Sequence, residues 1–198
     1  MYLRFLTAGW TLERKEAWFE FVTQAKTWDG GSGYPLYLGN AARDFARQLS
    51  EDESVEILRQ GAAWPDAALG ALYKLPRDLD DDLREALIHL DEAIDQRKDS
   101  ASRQLMVGIV AVLARSGDDA SMAYLRTIWD RNPERREPVA MGLAQAPAGE
   151  NWSYLVRSLP VLEDATAREV LQRLATVDQV PDDPEHIRQV MSKYHYVY

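Results

Sequence analysis

A helical phrase recurs in the C-terminal half of the chain, and it restricts the fold more than any other feature. Leu113-Ala114, Leu143-Ala144 and Leu174-Ala175 stand 30 and 31 residues apart, and each closes a stretch with apolar residues at helical spacing. Tyr124-Leu125 and Tyr154-Leu155 follow, again 30 residues apart, inside a second helical stretch, with Ile187 in the corresponding place of the third copy. Breakers and caps separate the two stretches of each copy: Ser116-Gly117-Asp118-Asp119, then Ala146-Pro147-Ala148-Gly149-Glu150-Asn151, then Val180-Pro181-Asp182-Asp183-Pro184. One helical hairpin cannot bury its apolar stripe until a neighbour stacks on it. A fixed period of this length therefore predicts an all-α solenoid of stacked hairpins, of the kind formed by HEAT and armadillo repeats.

The whole chain reads as one helical-repeat domain, 1–198, with irregular N-terminal repeats over 1–98 and three more regular hairpins over 99–198. Residues 1–8 look like a helix stopped at Gly9. Thr11 caps a helix whose apolar stripe is Trp18, Phe21, Val22 and Ala25. After the Gly-rich stretch 29–35, Leu38, Ala41, Phe45 and Leu49 mark the next helix, and Ser50 with Glu53 forms a capping box for a short one carrying Val55 and Leu58. Pro65 opens a helix bearing Leu69, Leu72 and Tyr73. Asp78, Asp80, Asp81 and Asp82 precede the stripe Leu83, Leu87, Leu90 and Ile94, where carboxylates complement the helix dipole. Pro138 starts the helix that ends at Leu143, or kinks it if that helix begins at Pro133. A final helix starts at Pro184 and buries Ile187, Val190 and Tyr194. Alternating β-type runs of useful length are lacking.

Charge and composition narrow the function. With 32 acidic against 23 basic residues the net charge is −9, which repels phosphate backbones, so nucleic-acid binding is not expected. No apolar run approaches the roughly 20 residues of a membrane span, and no membrane insertion is expected. The lack of cysteine removes disulfides, thiolate nucleophiles and thioether-bound haem from these residues. Met1 is followed at once by an uncapped helical pattern, which leaves open a start partway through a longer array, and Tyr194–Tyr198 reads as the cut edge of a further repeat.

No constellation makes a catalytic, cofactor or metal assignment. The Asp78–Asp82 cluster has Leu83 where a calcium loop needs glycine, so it reads as helix capping. His89 and His186 sit near carboxylates without metal-ligand spacing. Gly30-Gly31-Ser32-Gly33 fits neither phosphate-binding glycine motif, and Ser32 is no hydrolase elbow because position 34 is Tyr. Most of the six tryptophans read as core. Trp28 and Trp64, in or beside loops, together with Tyr34 are the candidate partner-binding residues.

Two passages carry a resemblance. Gly9-Trp10-Thr11-Leu12-Glu13-Arg14 with Trp18-Phe19, Gly30-Gly31-Ser32, Leu38 and the Ala41–Ala46 helix is one. Leu113-Ala114-Arg115-Ser116-Gly117-Asp118, Pro133-Glu134-Arg135-Arg136 and Asn151–Pro160 is the other. Together they resemble the HEAT-like segment of planctomycete-type multidomain proteins that carry a c-type haem-binding domain. The resemblance implies an extracytoplasmic setting, periplasmic or secreted, beside an electron-transfer or dehydrogenase domain. The haem attachment motif itself is absent here. The resulting expectation is a non-enzymatic scaffold or protein-interaction module, which acidic patches and exposed aromatics suit to a basic protein segment or a neighbouring domain. The alternative is an accessory carbohydrate-binding module of a sugar-oxidising or polysaccharide-processing enzyme, which requires Trp28 and Trp64 to be exposed along one groove.

Overall fold

A computed structural model describes residues 9–27, 34–145, 147 and 149–177. Among them are ten α-helices and three 3-10 turns, with no strand. The chain divides into two compact units, Met1–Ile109 and Val110–Tyr198.

The first unit holds α1 (Leu12–Ala25), α2 (Tyr34–Ala46), α3 (Glu51–Arg59), α4 (Pro65–Ala71) with a 3-10 turn Leu72–Lys74, α5 (Asp81–Ile94) and the start of α6 (Ser100–Ser116). Local chemistry sets the starts of these helices. The Thr11 hydroxyl accepts from Arg14 N–H at 3.4 Å. Ser50 and Glu53 form the full reciprocal box, Glu53 N–H to Ser50 Oγ and Ser50 N–H to Glu53 Oε2. Pro65 occupies the first position of α4. Asp80 accepts from Leu83 N–H at 2.8 Å, which accounts for the acidic cluster as a cap, and Asp81 pairs with Arg84 one turn on.

Packing in this unit rests on small residues. Helices α2 and α4 pack closely, Gly70 of α4 against Arg43 and Ala46 of α2 and Gly39 of α2 against Asp66 of α4, and Ala42, Ala46, Ala67 and Ala71 are buried on these two helices. A Cβ built on Gly70 would stand 2.4 Å from the Arg43 carbonyl oxygen, so the two backbones meet where only glycine fits. Asp66 is itself buried, held by Lys26 from the end of α1 and by Arg43 of α2, whose Nε and Nη2 donate to Oδ1 at 3.0 and 2.8 Å. In the same unit Trp10, Trp18, Phe19, Phe45 and Trp64 form a chain of aromatic contacts. The expected stripes need two corrections. Phe19 rather than Phe21 faces the core of α1, and Phe21 is 51% exposed. Tyr73 is also exposed, stacked by Arg47 at 4.4 Å, because the 3-10 turn that follows α4 rotates it off the apolar face.

The second unit continues α6 and adds α7 (Asp119–Arg131), a 3-10 turn Pro133–Arg135, α8 (Arg136–Leu143), α9 (Glu150–Ser158), a 3-10 turn Leu159–Val161 and α10 (Asp164–Leu174). Helix α8 packs on α7, α9 and α10. The recurring phrases take equivalent places: Leu113, Leu143 and Leu174 are buried near the ends of α6, α8 and α10, and Leu125 and Leu155 are buried in α7 and α9. Asp118 caps α7, accepting from Ser121 N–H and from the hydroxyls of Ser121 and Ser116. Pro138 lies in the first turn of α8, where its missing N–H costs nothing. The final helix expected from Pro184 lies outside the described residues, as do the ends 1–8 and 178–198.

Two caps make stability sensitive to acid. Burial pushes the Asp99 carboxyl up, but hydrogen bonds from Ser102 N–H and Oγ, with the charge of Arg97, outweigh it and leave it below its ordinary 3.8. For Glu53, burial is likewise outweighed by the hydrogen bond and charge of Lys15 and by the Ser50 N–H, so that it lies below 4.5. A carboxylate whose value is lowered on folding stabilises the fold above its unfolded value, and that contribution disappears as pH falls through the folded one. Asp99→Ala is expected to cost about 1 kcal/mol at pH 7. The gap from the parent chain should narrow as pH drops below 3.8, measured by urea unfolding at stepped pH. A gap independent of pH would show that the cap works without its charge.

Candidate ligand groove

Helices α7 and α9 contribute to one groove. Arg126, Trp129 and Asp130 stand at i, i+3 and i+4 on α7, and Tyr154, Arg157 and Ser158 hold the same spacing on α9. With Arg136 from the start of α8 and Val161 from the following 3-10 turn, they line a groove of about 470 Å³. Its floor is aromatic: the Trp129 and Tyr154 rings meet edge to face, 5.6 Å between centroids.

The guanidiniums are positioned by local contacts. Arg136 Nε donates to the Trp129 carbonyl at 3.3 Å and its guanidinium lies 5.8 Å from the Trp129 ring centroid. Arg157 Nε donates to the Ser153 carbonyl at 3.2 Å. Among the described residues, no carboxylate forms an ion pair with either of these two arginines. Arg126 pairs with Glu150 at 2.7 Å, and Glu150 is largely exposed, so this bond is worth roughly 0–1 kcal/mol and can be exchanged.

Tyr154 supplies the strongest local sign of an unfilled role. Its hydroxyl is buried and has no hydrogen-bond partner. Burial pushes its ionisation far up, the Asp130 carboxylate adds to this, and Arg126, Arg136 and Arg157 only partly offset it. The phenol therefore stays a protonated donor beside three cationic donors. A buried unmet hydroxyl costs about 1–3 kcal/mol. Chemically, the groove is equipped to hold an acceptor or an anion against an aromatic floor.

Trp64, one of the three residues singled out from the sequence, does not line this groove. Trp28 falls outside the described residues, and Tyr34 is the first residue of α2. Trp64 is 6% exposed and its indole N–H donates to Glu20 at 2.8 Å. Its ring packs against Phe19, 6.2 Å between centroids, and it offers no open ring face. Tyr37, 73% exposed beside Leu36 in the first turns of α2, joins Phe21 and Tyr73 as an exposed aromatic among the described residues of the first unit. His89 is exposed on α5 and lines a shallow groove with Arg59, Asp82 and Glu85. His186 lies outside the described residues, among which no group of three His, Asp or Glu side chains is arranged to hold a metal ion.

The groove residues were not apparent from the sequence. Tyr154 stands out in the sequence only as part of the recurring phrase, and the net charge points toward basic partners. An arginine one turn along from an aromatic on each second helix, Arg126 with Trp129 and Arg157 with Tyr154, is the signal that would have found it. No family model, curated protein or solved structure matches this chain.

Proposed function

We propose that the chain is a non-enzymatic helical-repeat module, a solenoid of the HEAT or armadillo kind, that scaffolds or binds a protein partner through the second helices of its hairpins. The observation that carries this reading is the 30-residue period: the leucines of the recurring phrases, Leu113, Leu143 and Leu174 in α6, α8 and α10 and Leu125 and Leu155 in α7 and α9, are all buried. Repetition of this kind leaves surface positions free to vary, and the α7–α9 face has used that freedom to gather charge over an aromatic floor. On the resemblance stated above, such a module would sit beside a redox domain in an extracytoplasmic protein.

Deleting residues 114–143 joins Leu113 to Ala144 and removes one period in register. The shortened chain is expected to keep its helicity per residue and a cooperative melt, while a deletion half as long abolishes both. Equal collapse of the two deletions, followed by circular dichroism, would reject the repeat architecture. For binding, the immobilised chain is expected to enrich peptides from a random displayed library. Enrichment should be lost in the Arg126→Ala/Arg157→Ala variant. Retention of glycans from a polysaccharide array with no peptide enriched would replace this reading with the carbohydrate one.

A further inference from the structure

We infer that the α7–α9 groove binds an acidic peptide segment, two of whose carboxylates engage Arg136 and Arg157 while an apolar residue between them rests on Trp129 and Val161. The inference deepens the interaction-module reading and rests on it. Charge complementarity points to the occupant. In a chain of net charge −9, the groove lining gathers three arginines against one carboxylate, Asp130. Two of those guanidiniums are oriented by backbone carbonyls and carry no ion pair among the described residues, so part of their side-chain entropy is already lost before a ligand arrives. A planar guanidinium matches a carboxylate in two parallel hydrogen bonds.

The Tyr154 hydroxyl is an independent observation pointing the same way. It is a buried donor without an acceptor, beside all three arginines, and a ligand oxygen or backbone carbonyl would satisfy it. Val161, 56% exposed at the groove wall, provides apolar surface for a side chain. That surface, and Asp130 inside the groove, favour a peptide with alternating acidic and apolar residues over a dense polyphosphate. Nucleic acid is repelled further by the overall charge. Arg126 is paired with the exposed Glu150, whose removal would take a negative charge from beside the groove and free a third guanidinium for the ligand.

The test is fluorescence anisotropy with the full chain and a labelled peptide alternating Glu and Leu, compared with its Lys-for-Glu counterpart. Binding of the acidic peptide at least about tenfold tighter than the basic one, weakening with added salt, is expected. Arg157→Ala should weaken it about tenfold, and Glu150→Ala should strengthen it severalfold. Tyr154→Phe should weaken it about threefold while leaving the melting temperature unchanged or raised, a combination that a purely structural role for the hydroxyl does not produce. Circular dichroism confirms that each variant is folded, and Glu150→Ala, at an exposed site, remains informative if another variant is not.

Equal binding of both peptides, lost in Arg157→Ala, would overturn the acidic preference and leave the module reading standing. Peptides enriched from the library that bind Arg157→Ala and Tyr154→Phe as well as the parent chain would overturn the groove assignment. Displacement by single-stranded DNA or inorganic phosphate at lower concentration than by unlabelled acidic peptide would overturn the peptide in favour of a phosphate ligand.

Discussion

Gly70→Ala is expected to lower the unfolding free energy of the N-terminal unit by about 2–3 kcal/mol, although alanine is the better helix former. In most helix interiors this change would stabilise by up to about 1 kcal/mol. Here the new methyl would meet the Arg43 carbonyl oxygen at 2.4 Å, the Arg43 Cα at 2.9 Å and the Ala46 methyl at 2.8 Å. Two of those three atoms are backbone, so relief requires α2 and α4 to separate. Ala46→Gly in the same chain is therefore expected to recover little. Gly108→Ala is the control, because its methyl would meet only the ends of the Leu72 and Leu69 side chains, which can rotate. Urea unfolding followed by tryptophan fluorescence measures all three. A cost below about 0.5 kcal/mol for Gly70→Ala would mean that α2 and α4 do not approach as closely as described.

The second large effect is expected at Asp66. Asp66→Ala leaves Lys26 and Arg43 facing a buried gap without their shared carboxylate. Breaking a fully buried ion pair from one side costs about 3–5 kcal/mol. Lys26 and Arg43 keep 27% and 22% of their side-chain surface exposed, so water recovers part of this and about 2–3 kcal/mol is expected. Removing one cation instead, Lys26→Ala, leaves the carboxylate with Arg43 and should cost about 1 kcal/mol. The cycle of Asp66→Ala with Arg43→Ala isolates the coupling. A double variant no less stable than Asp66→Ala alone would show that the penalty is the stranded guanidinium rather than lost packing. Additive losses would show the reverse.

Both sites illustrate where reading from residues stops. Large apolar residues at helical spacing located the helices correctly: Leu83, Leu87, Leu90 and Ile94 of α5 and Met122, Leu125, Ile128 and Trp129 of α7 are all buried as their spacing implies. The same rule failed on α4. Leu69 and Tyr73 drew attention, while the buried residues of α4 are Asp66, Ala67, Ala68, Gly70 and Ala71, and Gly70 meets the α2 backbone. Small residues carry little hydrophobic signal, and their value lies in letting backbones approach, which is a property of a pair of helices. Phe21 shows the converse, since a helix with aromatics at both 19 and 21 is satisfied by either until a neighbour selects a face.

Local interactions were legible because both partners lie within one turn. The Ser50–Glu53 box, the Asp80 cap, the first-turn prolines and the 30-residue period need no long-range contact to be recognised. The groove needed it. Arg126 and Glu150 come from different helices, as do Trp129 and Tyr154, and one chain-wide charge conceals a basic patch on one face. Periodicity and capping are short-range consequences of backbone geometry, so the order of residues determines them directly. Which side chains share a surface, which hydroxyl is left without a partner and which tryptophan is hidden depend on how helices far apart in the chain pack, and only the folded arrangement supplies that.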